Sequence, residues 1–130
     1  MRILFVGKQH FDVGGIETST DQLARRLLGG AHSVAAMAAP RAGAPSGTSR
    51  IEEVPGYEYP AFAAHRMAPA DALAEVRSRF APDVVVVNAG GRWWHDWTRP
   101  LVAGCRDLPC VLYVCDQEAV DLLAGGAVRP

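Results

Sequence analysis

The four consecutive valines at residues 84–87 constrain the fold of this chain more than any other feature of its sequence. Strands of a parallel sheet are covered on both faces and read as continuous apolar runs, whereas strands with one face in water alternate apolar and polar residues. Pro82 and Asp83 come directly before the run, and proline interrupts a helix. The run therefore predicts a buried strand at the centre of a parallel sheet.

Strand and helix signals alternate along the rest of the chain. Residues 2–7 form an apolar run, and a helix follows between two glycine pairs at residues 14–15 and 29–30. Its apolar face is predicted to contain Ile16, Leu23, Ala24, Leu27 and Leu28. Further strands are predicted at residues 33–39, 51–54 and 110–114, and further helices at residues 69–80, 93–105 and 117–123. Such alternation predicts an α/β fold, a Rossmann-like doubly wound parallel sheet in three αβα layers, as a single domain over residues 1–130.

Composition excludes several classes of protein. Apolar residues make up 49% of the 130 residues and the formal net charge is −1, so the basic surface of a nucleic-acid-binding protein is missing. The first apolar run is too short for a signal peptide or a membrane span, which predicts a cytoplasmic protein and leaves only peripheral membrane contact open. The three cysteines, five residues apart, match no metal or redox motif and are predicted to be free thiols in or near the core, namely Cys105, Cys110 and Cys115.

The loop after the first strand contains the most informative group for ligand binding, because doubly wound sheets bind ligands at the carboxyl ends of their strands. Gly14 and Gly15 open a helix, where backbone N–H groups and the helix dipole form an anion site that small residues leave accessible to a phosphate. The alternative is that both glycines serve only the geometry of the turn. The sequence has no GxGxxG fingerprint and no Gly-Lys-Ser or Gly-Lys-Thr phosphate loop, which disfavours hydride transfer and ATP hydrolysis.

Several blocks of sequence occur in a characteristic order. They are the opening strand at residues 2–7, Gly14-Gly15-Ile16-Glu17, Leu23-Ala24-Arg25-Arg26-Leu27, His32-Ser33-Val34, Pro82-Asp83 before the valine run, and residues 109–116. In this order they resemble the N-terminal domain of family 4 glycosyltransferases, which have two Rossmann-like domains in the B fold. The resemblance spans most of the chain, and its specific element is the Gly-Gly-Ile-Glu block.

The resemblance implies a retaining enzyme that transfers a sugar from a nucleotide-sugar donor to an acceptor. This chain then corresponds to the acceptor-side domain, and Gly14 and Gly15 contact the donor diphosphate. The C-terminal nucleotide-sugar domain, with its paired glutamates, has no counterpart in the sequence, so the chain is expected to be a fragment that lacks this partner domain. It then holds no catalytic residue and is inactive alone, since stabilising the leaving diphosphate needs both domains. No metal or other cofactor is expected, because the nucleotide-sugar is a co-substrate.

Five residues at the predicted ligand edge are candidates for acceptor binding. Lys8 and His10 follow the first strand, where a cation faces an anionic group and an imidazole shares a proton with a hydroxyl. Trp93 belongs to a tryptophan-rich stretch whose flat faces suit a sugar ring or a hydrophobic acceptor, unless these indoles only pack a helix onto the sheet. Asn88 and Asp116 follow the two later strands.

Two positions depart from the pattern of the family. Relatives commonly have histidine where this chain has Asn88, and a His-Asp pair where it has Cys115 and Asp116. A thiol does not replace imidazole in hydrogen bonding and proton transfer near neutral pH. Asp116 is therefore carried over from the family pattern, and the histidine role is not.

Three functions from different classes stay open. The first is the acceptor-binding half of a glycosyltransferase, which the Gly-Gly-Ile-Glu block favours. The second is a stand-alone Rossmann-like binding or regulatory module without catalytic activity. The third is a small flavodoxin-like or nucleotide-binding enzyme, which would require a phosphate loop that the sequence does not contain.

Overall fold

A computed structural model of the chain describes residues 1–7, 14–39, 47–89 and 99–114. In these residues one sheet contains β1 (Arg2–Gly7), β2 (Ser33–Ala38), β3 (Arg50–Glu53), β4 (Ala61–His65), β5 (Val84–Ala89) and β6 (Cys110–Val114). The flanking helices are α1 (Gly15–Gly29), α2 (Pro69–Phe80) and α3 (Arg99–Gly104). The predicted α/β fold class is confirmed, with a Rossmann-like arrangement of helices around a mostly parallel sheet.

The strand order of the sheet is β3-β4-β2-β1-β5-β6. Every pairing is parallel except that of β3, which runs antiparallel to β4 at one edge. The sheet is therefore mixed, where the sequence predicted a purely parallel one. The valine strand β5 is an inner strand between β1 and β6, but β2 and β1 form the middle of the described sheet, so the prediction that β5 is central was wrong.

The helices cover opposite faces of the sheet. One face packs against α2 and α3 in an apolar cluster that includes Leu4, Val6, Met37, Leu73, Val76, Val85, Val87 and Leu101. The other face packs against α1 through a second cluster that includes Ile3, Phe5, Ala24, Val34, Ala36 and Tyr59. Helices on both faces of a largely parallel sheet define the doubly wound arrangement.

The predicted apolar face of α1 is partly correct. Thr20 and Ala24 are the buried residues of this helix, while Leu27 and Leu28 pack against the cluster from half-buried positions. Leu23 is 36% exposed, so it lies outside the face to which its spacing assigned it. Among the residues that the structure describes, no helix is both long and apolar enough to cross a membrane.

Asp83 links the start of β5 to the start of β1 through hydrogen bonds to Arg2. Its carboxylate accepts hydrogen bonds from the backbone N–H of Arg2, at 2.7 Å, and from the Arg2 guanidinium, at 3.3 Å. Its own N–H donates to the Arg2 carbonyl at 2.8 Å. The backbone hydrogen bond and then the guanidinium lower the pKa of this carboxyl. The Pro82-Asp83 block thus has a structural role at the amino edge of the sheet.

Cys105 and Cys110 are free thiols, as predicted. Cys105 is buried beside α2 and α3, and burial, as the largest cause, raises the pKa of its thiol to about 11. Burial also raises the pKa of Cys110. Neither thiol therefore has the lowered pKa that marks a reactive cysteine. Cys115 lies outside the described residues.

Candidate functional site

The direction of the chain connections reverses at β1. From β1 the chain passes through α1 to β2 on one side, and it later returns through α2 to β5 on the other side. In doubly wound sheets the crevice at such a switch point, outside the carboxyl ends of the two strands, is where ligands bind. Gly7 ends β1 in this crevice, and its register partner on β2 is Ala38.

Gly14 and Gly15 lie at the amino end of α1, beside the switch point. Gly14 is the N-cap residue with extended backbone (φ −169°, ψ 171°), and Gly15 is the first helical residue. Any residue adopts these conformations, so turn geometry does not explain why both positions are glycine. The first N–H groups of a helix have no partner within the helix, and together with the dipole they attract an anion.

The surroundings of the two glycines differ. A Cβ at Gly14 would collide with the Glu17 carboxylate, which folds back over this residue. A Cβ at Gly15 would meet no atom of the described residues within 4 Å. Among the described residues, the Glu17 carboxylate thus gives a local reason for a small residue at Gly14, and no neighbour gives one at Gly15. Glu17 also places a negative charge in the first turn, where it stabilises the helix dipole.

Asn88, near the end of β5, lies beside the end of β1 and contacts α1. A Cβ on Gly7 would come within 3.2 Å of the Asn88 Cβ, so the ends of β1 and β5 are in close contact. The Asn88 amide Nδ2 lies 3.4 Å from Thr20 Oγ1, and Thr20 in turn donates to the carbonyl of Ile16 at 2.8 Å. The predicted site residue Asn88 therefore connects the end of β5 to the first turns of α1.

The structure brings together Asn88 and the helix that Gly14 and Gly15 open, as the sequence predicted. Lys8, His10, Trp93 and Asp116 lie outside the described residues, so their assignment to the acceptor stays a prediction. Thr20, which links Asn88 to α1, was not predicted, because its interior position in the helix gives no signal in the sequence.

A second polar pair at the carboxyl edge was also not predicted. His65 ends β4 and is 3% exposed, and its Nε2 lies 2.5 Å from Glu52 Oε2 on β3. The segment around β4 has no clear period and is rich in alanine, so neither the strand nor its terminal histidine was recognised. The antiparallel pairing of β3 with β4 brings these residues together.

Neither the scan against protein-family models nor the search of curated proteins found a match. The function of the chain is therefore inferred from its sequence, its fold and the geometry of the switch-point crevice.

Proposed function

We propose that this chain is the acceptor-side, N-terminal domain of a retaining glycosyltransferase of the B fold, which transfers a sugar from a nucleotide-sugar to an acceptor. In this function the amino end of α1 binds the donor diphosphate, and the carboxyl edge of the sheet binds the acceptor. The resemblance of the Gly-Gly-Ile-Glu block supports the family. The location of that block at the switch point of a Rossmann-like sheet supports the diphosphate role.

The observation that carries the proposal is the position of Gly15 as the first helical residue of α1, where no described residue lies within 4 Å of a Cβ. Alanine stabilises a helix more than glycine does, so helix stability does not explain a glycine at this position. No steric contact with a described residue requires it. A phosphate that approaches the first N–H groups of α1 would require it, because a methyl group on this residue would stand between the phosphate and the backbone.

Chemistry in the proposed enzyme needs groups from both sides of a cleft. The N–H groups of α1 stabilise negative charge on the diphosphate, and the nucleotide half belongs to the second domain that the resemblance implies. In this proposal Asn88 contributes a neutral hydrogen-bonding group from β5, unlike the histidine of the family pattern. We therefore expect weak diphosphate binding and no sugar transfer by this chain alone.

The experiment compares Gly15→Ala with Gly29→Ala, which changes a glycine at the other end of α1. A Cβ at Gly29 likewise meets no described atom within 4 Å. Both variants should fold and gain up to about 1 kcal/mol of stability, because alanine restricts the unfolded chain. Binding of pyrophosphate and of uridine and guanosine diphosphates is then measured by NMR titration. Gly15→Ala should weaken binding about tenfold or more, which corresponds to one lost charge-assisted hydrogen bond, while Gly29→Ala binds like the unaltered chain.

Three results would contradict parts of the proposal. If the unaltered chain binds none of the diphosphates, or if both variants bind equally well, the diphosphate role fails and a non-catalytic binding module becomes the better interpretation. If the isolated chain transfers sugar from a nucleotide-sugar, the requirement for a second domain fails.

A further inference from the structure

The two edges of the described sheet differ in how they are protected against pairing with another strand. β3 forms one edge, and its four residues include the charged Arg50, Glu52 and Glu53. β6 forms the other edge and contains no charged residue and no proline. Edge strands of natural proteins commonly carry charges, prolines or bulges that prevent association with another chain. The uncharged edge at β6 is therefore suited to pairing with a further strand.

Alternate residues of β6 direct their backbone groups away from β5. The N–H of Val85 on β5 donates to the Pro109 carbonyl at 3.0 Å. Residues that bond the same neighbouring strand are two positions apart, so Val111 and Tyr113 also direct their N–H and C=O groups toward β5. In the part of the chain that the structure describes, no strand pairs with the other side of β6. The residues whose backbone groups point to that side are Cys110, Leu112 and Val114.

β6 also carries exposed apolar side chains. Val111 is 51% exposed and Tyr113 is 38% exposed. Val111 is level with Val86 on β5, which is level with Phe5 on β1, so these three side chains lie on the α1 face of the sheet. Phe5 is buried, Val86 is half-buried and Val111 is exposed. The apolar cover on this face thus decreases toward the unprotected edge.

The sequence of β6 is complementary to a second copy of itself. In an antiparallel pair about a twofold axis at Leu112, Leu112 faces its own copy and Cys110 faces Val114 of the second copy. These are the residues with outward backbone groups, so they form on the order of six hydrogen bonds between the strands. Val111 then lies opposite Tyr113 in the non-hydrogen-bonded pairs, where side chains approach most closely. Pairs of aromatic and β-branched residues stabilise antiparallel strands, and no like charges meet.

We infer that β6 pairs antiparallel with β6 of a second copy of this chain, so that the two sheets join into one across a twofold axis at Leu112. Such a contact uses the same surface of both copies and closes at the dimer. A strand of five residues buries less than the roughly 1,600 Å² of a standard interface, so the dimer is weak and reversible. Because the paired strands run in opposite directions, the carboxyl edges of the two sheets point to opposite sides. Each copy therefore keeps its own switch-point crevice.

Analytical ultracentrifugation of the full chain, from low micromolar to millimolar concentration, measures the association. The matched variants are Val111→Lys and Leu23→Lys, since each replaces an exposed large apolar residue by the same charge. Leu23 lies on α1 and outside the β6 edge. The twofold axis makes each substitution at residue 111 act twice in the dimer. Val111→Lys should therefore weaken dimerisation about tenfold, while Leu23→Lys should dimerise like the unaltered chain.

Amide hydrogen exchange, followed by NMR at several protein concentrations, tests the paired edge without any substitution. The amides of Val111 and Tyr113 bond β5, so they should be protected at every concentration. The amides of Cys110 and Leu112 point outward, so they should become protected only as the dimer forms. This alternation along the strand keeps the inference testable if Val111→Lys does not fold.

Several results would overturn the inference. They are a monomer at millimolar concentration, growth of particles larger than a dimer, and a dimer that both variants weaken equally, which would locate the contact elsewhere. Protection of the Cys110 and Leu112 amides in the monomer would show that a strand of the same chain covers this edge. Binding of diphosphates has no part in these measurements, so their outcome is independent of the proposed function.

Discussion

Replacing Ala81 by glycine should stabilise the protein, although the same replacement inside a helix destabilises it. Ala81 is the C-cap residue of α2 and has left-handed backbone, with φ 48° and ψ 64°. Pro82 follows directly and disfavours the right-handed helical conformation at residue 81, so the helix has to end here. The N–H of residue 81 donates to the Arg77 carbonyl at 2.8 Å and stays available in the variant.

The magnitude follows from two opposing effects. A left-handed non-glycine residue costs about 1–2 kcal/mol, and glycine loses about 0.5–1 kcal/mol more backbone entropy on folding than alanine. Because residue 81 is exposed, removing its methyl group sacrifices little packing. Ala81→Gly should therefore gain about 0.5–1 kcal/mol. With an unfolding entropy of about 2.1 cal/mol/K per residue, the melting temperature should rise by roughly 2–4 °C.

The matched control is Ala74→Gly, an exposed position in the interior of α2. It should cost about 1 kcal/mol and lower the melting temperature by roughly 4 °C. Thermal unfolding followed by far-UV circular dichroism and urea unfolding with an unchanged m-value measure both variants. If Ala81→Gly loses as much stability as Ala74→Gly, strain at residue 81 is not relieved by glycine and the reasoning is refuted.

Two further predictions concern polar contacts between distant elements. The pKa of Asp83 is lowered in the folded state, so its stabilising contribution is complete above the ordinary aspartate pKa and is lost as the pH falls through the lowered value. Urea midpoints of the unaltered chain and Asp83→Asn should converge in that acidic range, and parallel curves would contradict this. The phenol of Tyr59 bonds Asp21 on α1 at 2.5 Å, so Tyr59→Phe should cost about 1–2 kcal/mol. In this variant Asp21 still pairs with Arg25 at 2.7 Å, so its charge stays compensated. A loss of unfolding free energy far above about 2 kcal/mol, measured by urea unfolding, would contradict this.

The sequence predicts the elements whose residues have strong local preferences. The bounds of β1, α2 and β6 agree with the structure because each is a clear apolar run or period limited by glycine or proline. Ala61–His65 was missed, because alanine has a low strand propensity and every residue of this strand is buried, which removes any alternation. Such a strand forms because the neighbouring strands β2 and β3 provide its hydrogen-bond partners, so its formation depends on tertiary structure and not on local sequence.

The antiparallel direction of β3 could not be predicted either. Strand direction depends on the length and path of the connection, and β3 joins β4 through a short turn instead of a crossover helix. Leu23 shows the same limit within a helix, since its spacing fits the apolar face while Thr20 takes a buried place beside the sheet. Whether a helical side chain is buried depends on where the helix contacts the sheet, and the spacing of apolar residues does not specify this.

The candidate site was predicted to the extent that the fold rule applies. The rule that ligands bind at the carboxyl ends of strands predicted Gly14, Gly15 and Asn88 as site residues. The contact of Asn88 with α1 agrees with their expected proximity, while their ligand roles stay predictions. The same rule did not find Glu52 and His65, because their proximity depends on the unexpected pairing of β3 with β4. Cross-strand pairs of this kind have no spacing signature in the sequence.

The position of β1 also determines the order in which the sheet can be completed. Ile3 pairs with Val34 on one side and with Val84 on the other. During synthesis from the amino terminus, β2 becomes available first, and about 50 more residues have to be added before β5 emerges, which takes about 3–10 s at ordinary elongation rates. Throughout this interval β1 has one open edge, which can pair wrongly with another nascent chain. The boundary between β1 and β5 therefore closes later than that between β1 and β2, and the crevice beside it exists only after β5 has been made.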